Sequence, residues 1–296
     1  IVILNIDIVH ARSRAPAWSC LIATKLARRK FVTTFHGAYN FKNDLKKWGY
    51  CLLKNAIPPD LNNRAMERLI EQANAEKELN LAYEDGSEKK KWGEFHKNTD
   101  ARGVNQRVWM LPNKGKVFLD ILAKHNYVDC VKEIVGDEFL VSSFGANIAK
   151  PGGVAMDLHT DQWWFPDPVN RNDEFLPPGS IKRNKFNIKI NENISNNNEL
   201  ISRPAVTNVL IMLNGMSKEN GGTRIVPGSH LFGRHPDKVL DKDIEVISAE
   251  GPPGCAIITD GRVWHGTGAN ITKYNRLALL ITFCGPQFRP QENFTL

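Results

Sequence analysis

The 296-residue sequence has no apolar run approaching the length a membrane-spanning helix needs, about 20 residues, and no CxxC pair among its five cysteines. The first absence argues against an integral membrane protein. Cys20, Cys51, Cys130, Cys255 and Cys284 are odd in number and widely scattered. That pattern argues against a disulfide framework and against cysteine-ligated zinc. Cys255 and Cys284 lie in apolar contexts and are expected in the core as small hydrophobes. A reducing, cytoplasmic setting is the expectation. Ile1 to Val9 has no basic flank before it and leads into HARSR, so no secretory leader is expected there. The chain opens on isoleucine rather than methionine, so a natural start further upstream is expected.

A basic stripe is lacking too. The formal net charge is +7, but six basic residues (Arg12, Arg14, Lys25, Arg28, Arg29, Lys30) against the single Asp7 put +5 of it into residues 1–40. The remaining 256 residues carry only +2 and no basic run interleaved with aromatics. Nucleic-acid binding is therefore not expected. SEKKKWGE at 87–94 is bounded by acids and reads as a solvated loop. A small-molecule substrate is the expected partner, with no membrane or nucleic acid.

What is present divides into two unlike pieces. IVILNIDIVHA reads as a buried strand, SRAPAWSCLIATKLARRK as a helix with Ser13 at its N-cap, and FVTTFHGAYN as a second strand. Strand, helix and strand in this order form one βαβ crossover of a parallel sheet. The passage VHARSRAPAWSCLIATKLARRKFVTTFHGAYN resembles part of the N-terminal domain of group-1, retaining GT-B glycosyltransferases. Only one unit of such a domain is present. Residues 1–40 are therefore expected to be a remnant or fusion segment without glycosyl transfer, and Arg14 and His36 to be structural.

From Phe41 the composition changes. DLKKWGYCLLKNAIPPD reads as a short helix and a strand. Asp60 is expected to cap a long amphipathic helix that buries Leu61, Met66, Leu69, Ile70 and Ala73. A polar loop follows over 84–106, and KVFLDILAKHNYVDCVKEIVG reads as helix closing at Gly136. Seven short β-rich segments come next: EFLVSSFGANIAKPG, VAMDLHTDQWW, AVTNVLIMLNGM, TRIVPGSH, IEVISAE, GCAIITDGRVWHG and RLALLITFCG. Helices followed by many short strands suggest a mainly β fold with flanking helices, a double-stranded β-helix or jelly roll. The asparagine-rich stretch 167–203 reads as a long insertion and a candidate lid.

The chemistry concentrates in three places. His159 and Asp161, in AMDLHTDQWWF, would leave one face of an extended strand together. His265, in TDGRVWHGTGAN, ends an apolar segment before a glycine-rich turn. Arg276 opens the apolar strand RLALLITFCG, where its planar fork suits a carboxylate. Two histidines and one carboxylate form the facial set of non-haem iron oxygenases, leaving three positions open. His159 and Asp161 alone fit a polar surface pair as well as half a metal site.

HxD, the distant WHGTGANIT and an arginine eleven residues after its histidine resemble the phytanoyl-CoA dioxygenase family of Fe(II)/2-oxoglutarate oxygenases. WGYCLLKNAIPPD, KENGGTRIVPGSH and RPQENFTL agree, so the resemblance covers about residues 41–296. It implies His159, Asp161 and His265 as iron ligands, Arg276 as the 2-oxoglutarate anchor and Thr267 as a lesser contact. It also implies O2 as the oxidant, with 2-oxoglutarate decarboxylated to succinate and CO2 while a C–H bond of a small or medium-sized substrate is hydroxylated. Related halogenases lack the carboxylate, so Asp161 favours hydroxylation. His230 in PGSH is expected to be structural, and Gln162 to face away from the metal. The competing expectation is a non-catalytic jelly-roll or glycosyltransferase-derived binding module, which would need neither the three ligands nor Arg276.

Overall fold

The computed structural model describes residues 8–11, 30–33, 41–91, 103–123, 125–162 and 203–294. The chain divides into two compact units, Ile1–Phe41 and Lys42–Leu296. In the first, β1 (Ile8–Ala11) pairs in parallel with β2 (Lys30–Thr33), Ile8 opposite Lys30 and Ala11 opposite Thr33. Parallel neighbours need a crossover between them. The helix expected to supply it lies outside the described residues.

The second unit is mainly β. Its larger sheet has seven strands in the order β3 (Tyr50–Leu53), β10 (Ala256–Asp260), β7 (Val206–Met212), β12 (Arg276–Cys284), β6 (Leu140–Ala149), β5 (Asn105–Val108) and β4 (Tyr83–Asp85). The smaller sheet runs β11 (His265–Thr267), β8 (Thr223–Ile225) and β9 (Ile247–Ser248). Every pairing in both sheets is antiparallel. The strands are short runs of β-branched and aliphatic residues ended by glycine, proline or asparagine turns, which is why they reverse rather than cross over.

Side chains alternate across these strands and sort the molecule into layers. One face of the large sheet puts Leu210, Met212, Ile257 and Ala278 against Ile225, Met216, Ala249 and Val263, so the two sheets share one apolar core. Of the helices α1 (Phe41–Trp48), α2 (Pro59–Glu78), α3 (Lys116–Leu122) and α4 (Tyr127–Val135), the last three pack on the opposite face, and α1 is tied to α4 by the Lys42–Glu133 ion pair at 2.8 Å. Gln106 Nε2 of β5 donates to the Ala73 carbonyl of α2 at 2.8 Å. Phe118 of α3 meets Phe144 of β6 edge to face at 6.1 Å. The architecture is a jelly roll buttressed by helices. Among the described residues no helix is long and apolar enough to cross a membrane.

Several local expectations shift. Asp60 does not cap α2: the N-cap is Pro58, with proline at the first helical position. Asp60 sits in the first turn and bonds Arg64 instead. The buried stripe of α2 is Leu61, Ala65, Leu69 and Ala73, a pure i+4 ladder, while Ile70 is 43% exposed. The helical stretch over 116–136 is two helices, closing at Gly136 with φ +99°. Both ends of the expected 84–106 loop are strands, β4 and β5. Cys255 and Cys284 are buried core thiols, as their apolar contexts suggested.

Candidate metal centre

The segment carrying His159 and Asp161 is not a full strand. Residues 154–162 run beside β11 and form a single bridge, His159 opposite His265. The His159 amide donates to the His265 carbonyl at 2.9 Å and the return bond is 3.0 Å. Met156 N also reaches Thr267 O at 2.8 Å. Such close passage requires Gly266: a Cβ there would stand 2.9 Å from the carbonyl oxygens of both Met156 and Asp157. Asp161 comes just after the bridge, where a turn begins.

Three side chains separated by up to 106 positions therefore meet. Their ligand atoms all lie within 4.8 Å of one another. His265 Nε2 is 3.1 Å from Asp161 Oδ2, and His159 Nε2 is 3.4 Å from Asp161 Oδ1. Each imidazole is oriented from behind in the same way. His159 Nδ1 lies 3.1 Å from the Asp157 carbonyl and His265 Nδ1 3.0 Å from the Val263 carbonyl. A carbonyl only accepts, so Nδ1 carries the proton and Nε2 keeps its lone pair for a metal. Burial pushes the Asp161 carboxyl up, yet the neighbouring His265 and His159 outweigh it and hold the group well below the usual carboxylate range. Burial pushes His265 down, and the charge and hydrogen bond of Asp161 reverse this to a net rise.

Arg276 is fully buried at the start of β12. Nη1 donates to Asn147 O at 3.3 Å and Nη2 to Gly221 O at 3.1 Å, while Nε has no partner among the described residues. No carboxylate among them forms an ion pair with it. Burial, with Arg107 nearby, pushes its pKa down to about 10. The Asn147 side chain, on the neighbouring strand β6, donates to Thr267 Oγ1 at 3.3 Å and leaves its own Oδ1 unpaired. Thr267 lies two residues after His265 on β11, on the same face. A chain of polar contacts thus runs from Arg276 through Asn147 to the strand that carries a metal-site histidine.

Residues 45–278 match the family described as Phytanoyl-CoA dioxygenase (PhyH). The chain belongs to the phytanoyl-CoA dioxygenase family. Among curated relatives, dioxygenase af480 of Aspergillus fumigatus is 29% identical over 231 residues, 77% of this chain and 64% of that protein. The chain thus spans less than two thirds of that relative. Two solved structures share the fold: EctD from S. alaskensis with bound Fe, at TM-score 0.58, and HygX from Streptomyces hygroscopicus with nickel and 2-oxoglutarate bound, also at 0.58. They are 15% and 12% identical, covering 84% and 86% of this chain and 77% and 89% of theirs.

Other polar residues near the site act as supports. Gln162 is buried; its Nε2 donates to Arg203 O at 3.1 Å and its Oε1 accepts from Ala205 N at 2.8 Å. It joins residue 162 to residues 203 and 205, and the insertion expected at 167–203 falls almost wholly outside the described residues. His230 is buried beneath α1, with Nε2 3.3 Å from Lys46 O, against Gly49 at φ +77°. A side chain at residue 49 would strike its ring at 2.5 Å, so the PGSH turn locks the end of α1. Sequence reasoning passed over Asn147 and Asn208. Their signal was a lone amide inside an apolar run, in FGANIA and VTNVLIM. Asn208 Nδ2 donates to Asp161 Oδ2 at 2.5 Å.

Proposed function

We propose that this protein is an Fe(II)- and 2-oxoglutarate-dependent dioxygenase that hydroxylates a small or medium-sized organic molecule. The observation that carries this reading is the fully buried Arg276, whose only hydrogen bonds among the described residues go to two carbonyls. A buried guanidinium without a counter-charge is costly, and an anionic carboxylate presented to its fork relieves that cost. The donor set fits iron: two imidazole nitrogens prepared for ligation and one carboxylate on one side, the facial arrangement of iron oxygenases.

In this reading His159, Asp161 and His265 hold the iron. Arg276 receives the distal carboxylate of 2-oxoglutarate, with Thr267 adding a hydroxyl contact. The pair, when bound, supplies the oxidising chemistry: O2 is reduced as 2-oxoglutarate loses CO2 to become succinate, and the substrate gains a hydroxyl. The chain's own residues do the positioning. The carbonyls of Asp157 and Val263 fix the two rings, and the β-core behind Leu210, Met212 and Ala278 excludes water from the anchor side. Asp161 fills the coordination position that a halide would need, which directs the outcome to hydroxylation.

A cleft of about 360 Å³ opens beside His159, bounded by Ser87, Glu88, Lys91, Val154, Met156 and Asp157. Its size suits a small organic ligand, within the range of about 300–1,000 Å³. Its charged rim favours a substrate with polar groups at its edges. Residues 1–40 are a separate segment, a glycosyltransferase-like remnant; the parallel β1–β2 pair supports the crossover, and the likeness itself rests on the sequence passage alone. A reducing, cytoplasmic setting is supported by the free thiols of Cys51, Cys130, Cys255 and Cys284.

Incubation of the protein with Fe(II), 2-oxoglutarate and O2 tests the reaction before the substrate is known. Uncoupled succinate formation that disappears in His265→Ala is the expected result. Succinate at the level of protein-free iron would contradict it, and so would an undiminished yield in His265→Ala.

A further inference from the structure

We infer that Asn208, held by Thr282, is a positioning residue for the metal-site carboxylate, fixing through Asp161 Oδ2 the orientation in which Asp161 faces the two histidines. The inference rests on the proposed metal site and goes beyond it, to a residue 47 positions from the nearest of the three ligands in sequence.

Asp161 needs such support because of where it sits. It begins a turn rather than lying in a strand, and its amide is held by a single backbone bond to Gly261 O at 2.9 Å. Asn208, by contrast, lies on β7 in the middle of the large sheet. It is flanked on one side by Thr259 of β10 and on the other by Thr282 of β12. Asn208 is 3% exposed and Thr282 is 6% exposed. The amide orientation is fixed by chemistry. Only its NH2 can face a carboxylate oxygen, at 2.5 Å. Its Oδ1 must then face Thr282, whose hydroxyl donates to it at 2.9 Å. Three residues thus form a directed chain, Thr282 to Asn208 to Asp161, from the interior of the large sheet to the carboxylate.

The alternative is that Asn208 merely satisfies itself where an apolar side chain would serve the strand better. A buried amide costs stability unless it is bonded, and both ends of this one are bonded, one of them to a metal-site group. With Oδ2 accepting from the Asn208 amide, the carboxylate is held against rotation, with Oδ1 3.4 Å from His159 Nε2 and Oδ2 3.1 Å from His265 Nε2. Partners of this kind around a metal site change metal affinity by about 10- to 100-fold when removed.

The test uses the full chain stripped of metal, without 2-oxoglutarate or O2, titrated with Mn(II) against a fluorescent chelator. Asn208→Leu, close in volume but without donors, is expected to bind Mn(II) about 10- to 100-fold more weakly than the wild type. It should also change the Mn(II) electron paramagnetic resonance spectrum, which a purely structural role would leave alone. Thr282→Val is expected to weaken binding in the same direction, and Thr282→Ser, which restores the hydroxyl, to recover it. If Asn208→Leu fails to fold, the Thr282 pair decides alone. Wild-type affinity and spectrum in Asn208→Leu or in Thr282→Val, alongside lost binding in His265→Ala, would overturn the positioning role and leave the metal site standing. Mn(II) binding that His265→Ala leaves unchanged would overturn the metal site itself.

Discussion

A guanidinium that water cannot reach keeps its charge only with strong partners, and at Arg276 two backbone carbonyls are all the described fold supplies. Replacing it with lysine keeps the charge but loses the fork. One lost charge-assisted hydrogen bond costs about 1.5–3 kcal/mol. Arg276→Lys is therefore expected to raise KM for 2-oxoglutarate by about 10- to 100-fold, with Fe(II) affinity in the absence of 2-oxoglutarate unchanged. Steady-state kinetics and a metal titration check both halves. His230 gives a second expectation. Burial holds its pKa below the ordinary 6.5, with Asp260 opposing. The fold favours the neutral ring, so its contribution is complete above the unfolded value and is lost as pH falls through about 6.5 towards the folded value. His230→Gln should flatten the loss of stability on acidification, read as the change in urea midpoint between about pH 7.5 and about pH 5.5. A slope identical to the wild type would remove His230 from the explanation. At this scale the sequence is legible where spacing and residue type coincide, as at His159, Asp161 and His265, which the fold brings together. It was mute at Asn147 and Asn208, because an amide's role depends on which distant atom it meets.

At the scale of elements, periodicity announces a helix more readily than the face it buries. The apolar positions of α2 allowed a stripe including Met66 and Ile70, but packing against the large sheet selects Leu61, Ala65, Leu69 and Ala73. The small residues let the helix approach β5 closely enough for Gln106 to reach the Ala73 carbonyl. Leu69→Ala is expected to cost about 2–5 kcal/mol, and Ile70→Ala no more than about 0.5 kcal/mol. Chemical denaturation of the two variants separates the faces, and equal losses would contradict the assignment. The HTD segment shows the other limit of local reading. Alternation suggested a strand, yet it meets β11 through an isolated bridge at His159 and one further bond from Met156. Its place is set by Gly266, a residue more than a hundred positions away whose missing side chain lets the two backbones meet.

For the whole molecule, the order of helices and short strands made a helix-buttressed jelly roll legible, since short antiparallel strands joined by turns have few other ways to bury one face. The sheet order β3-β10-β7-β12-β6-β5-β4 was not legible, because it depends on pairings across most of the chain. The family match begins at residue 45 and the larger compact unit at Lys42. A chain lacking residues 1–39 is therefore expected to retain uncoupled succinate formation, and its loss with the fold intact would tie the first segment to the activity. The central claim is that iron and 2-oxoglutarate share one site made by His159, Asp161, His265 and Arg276. Anaerobic addition of Fe(II) and then 2-oxoglutarate reads this directly, through the weak visible charge-transfer band of an iron-chelated 2-oxo acid. The wild type should develop the band, His265→Ala should not, and Arg276→Lys should need more 2-oxoglutarate to reach it. No band in the wild type, or an equal band in His265→Ala, would contradict the site.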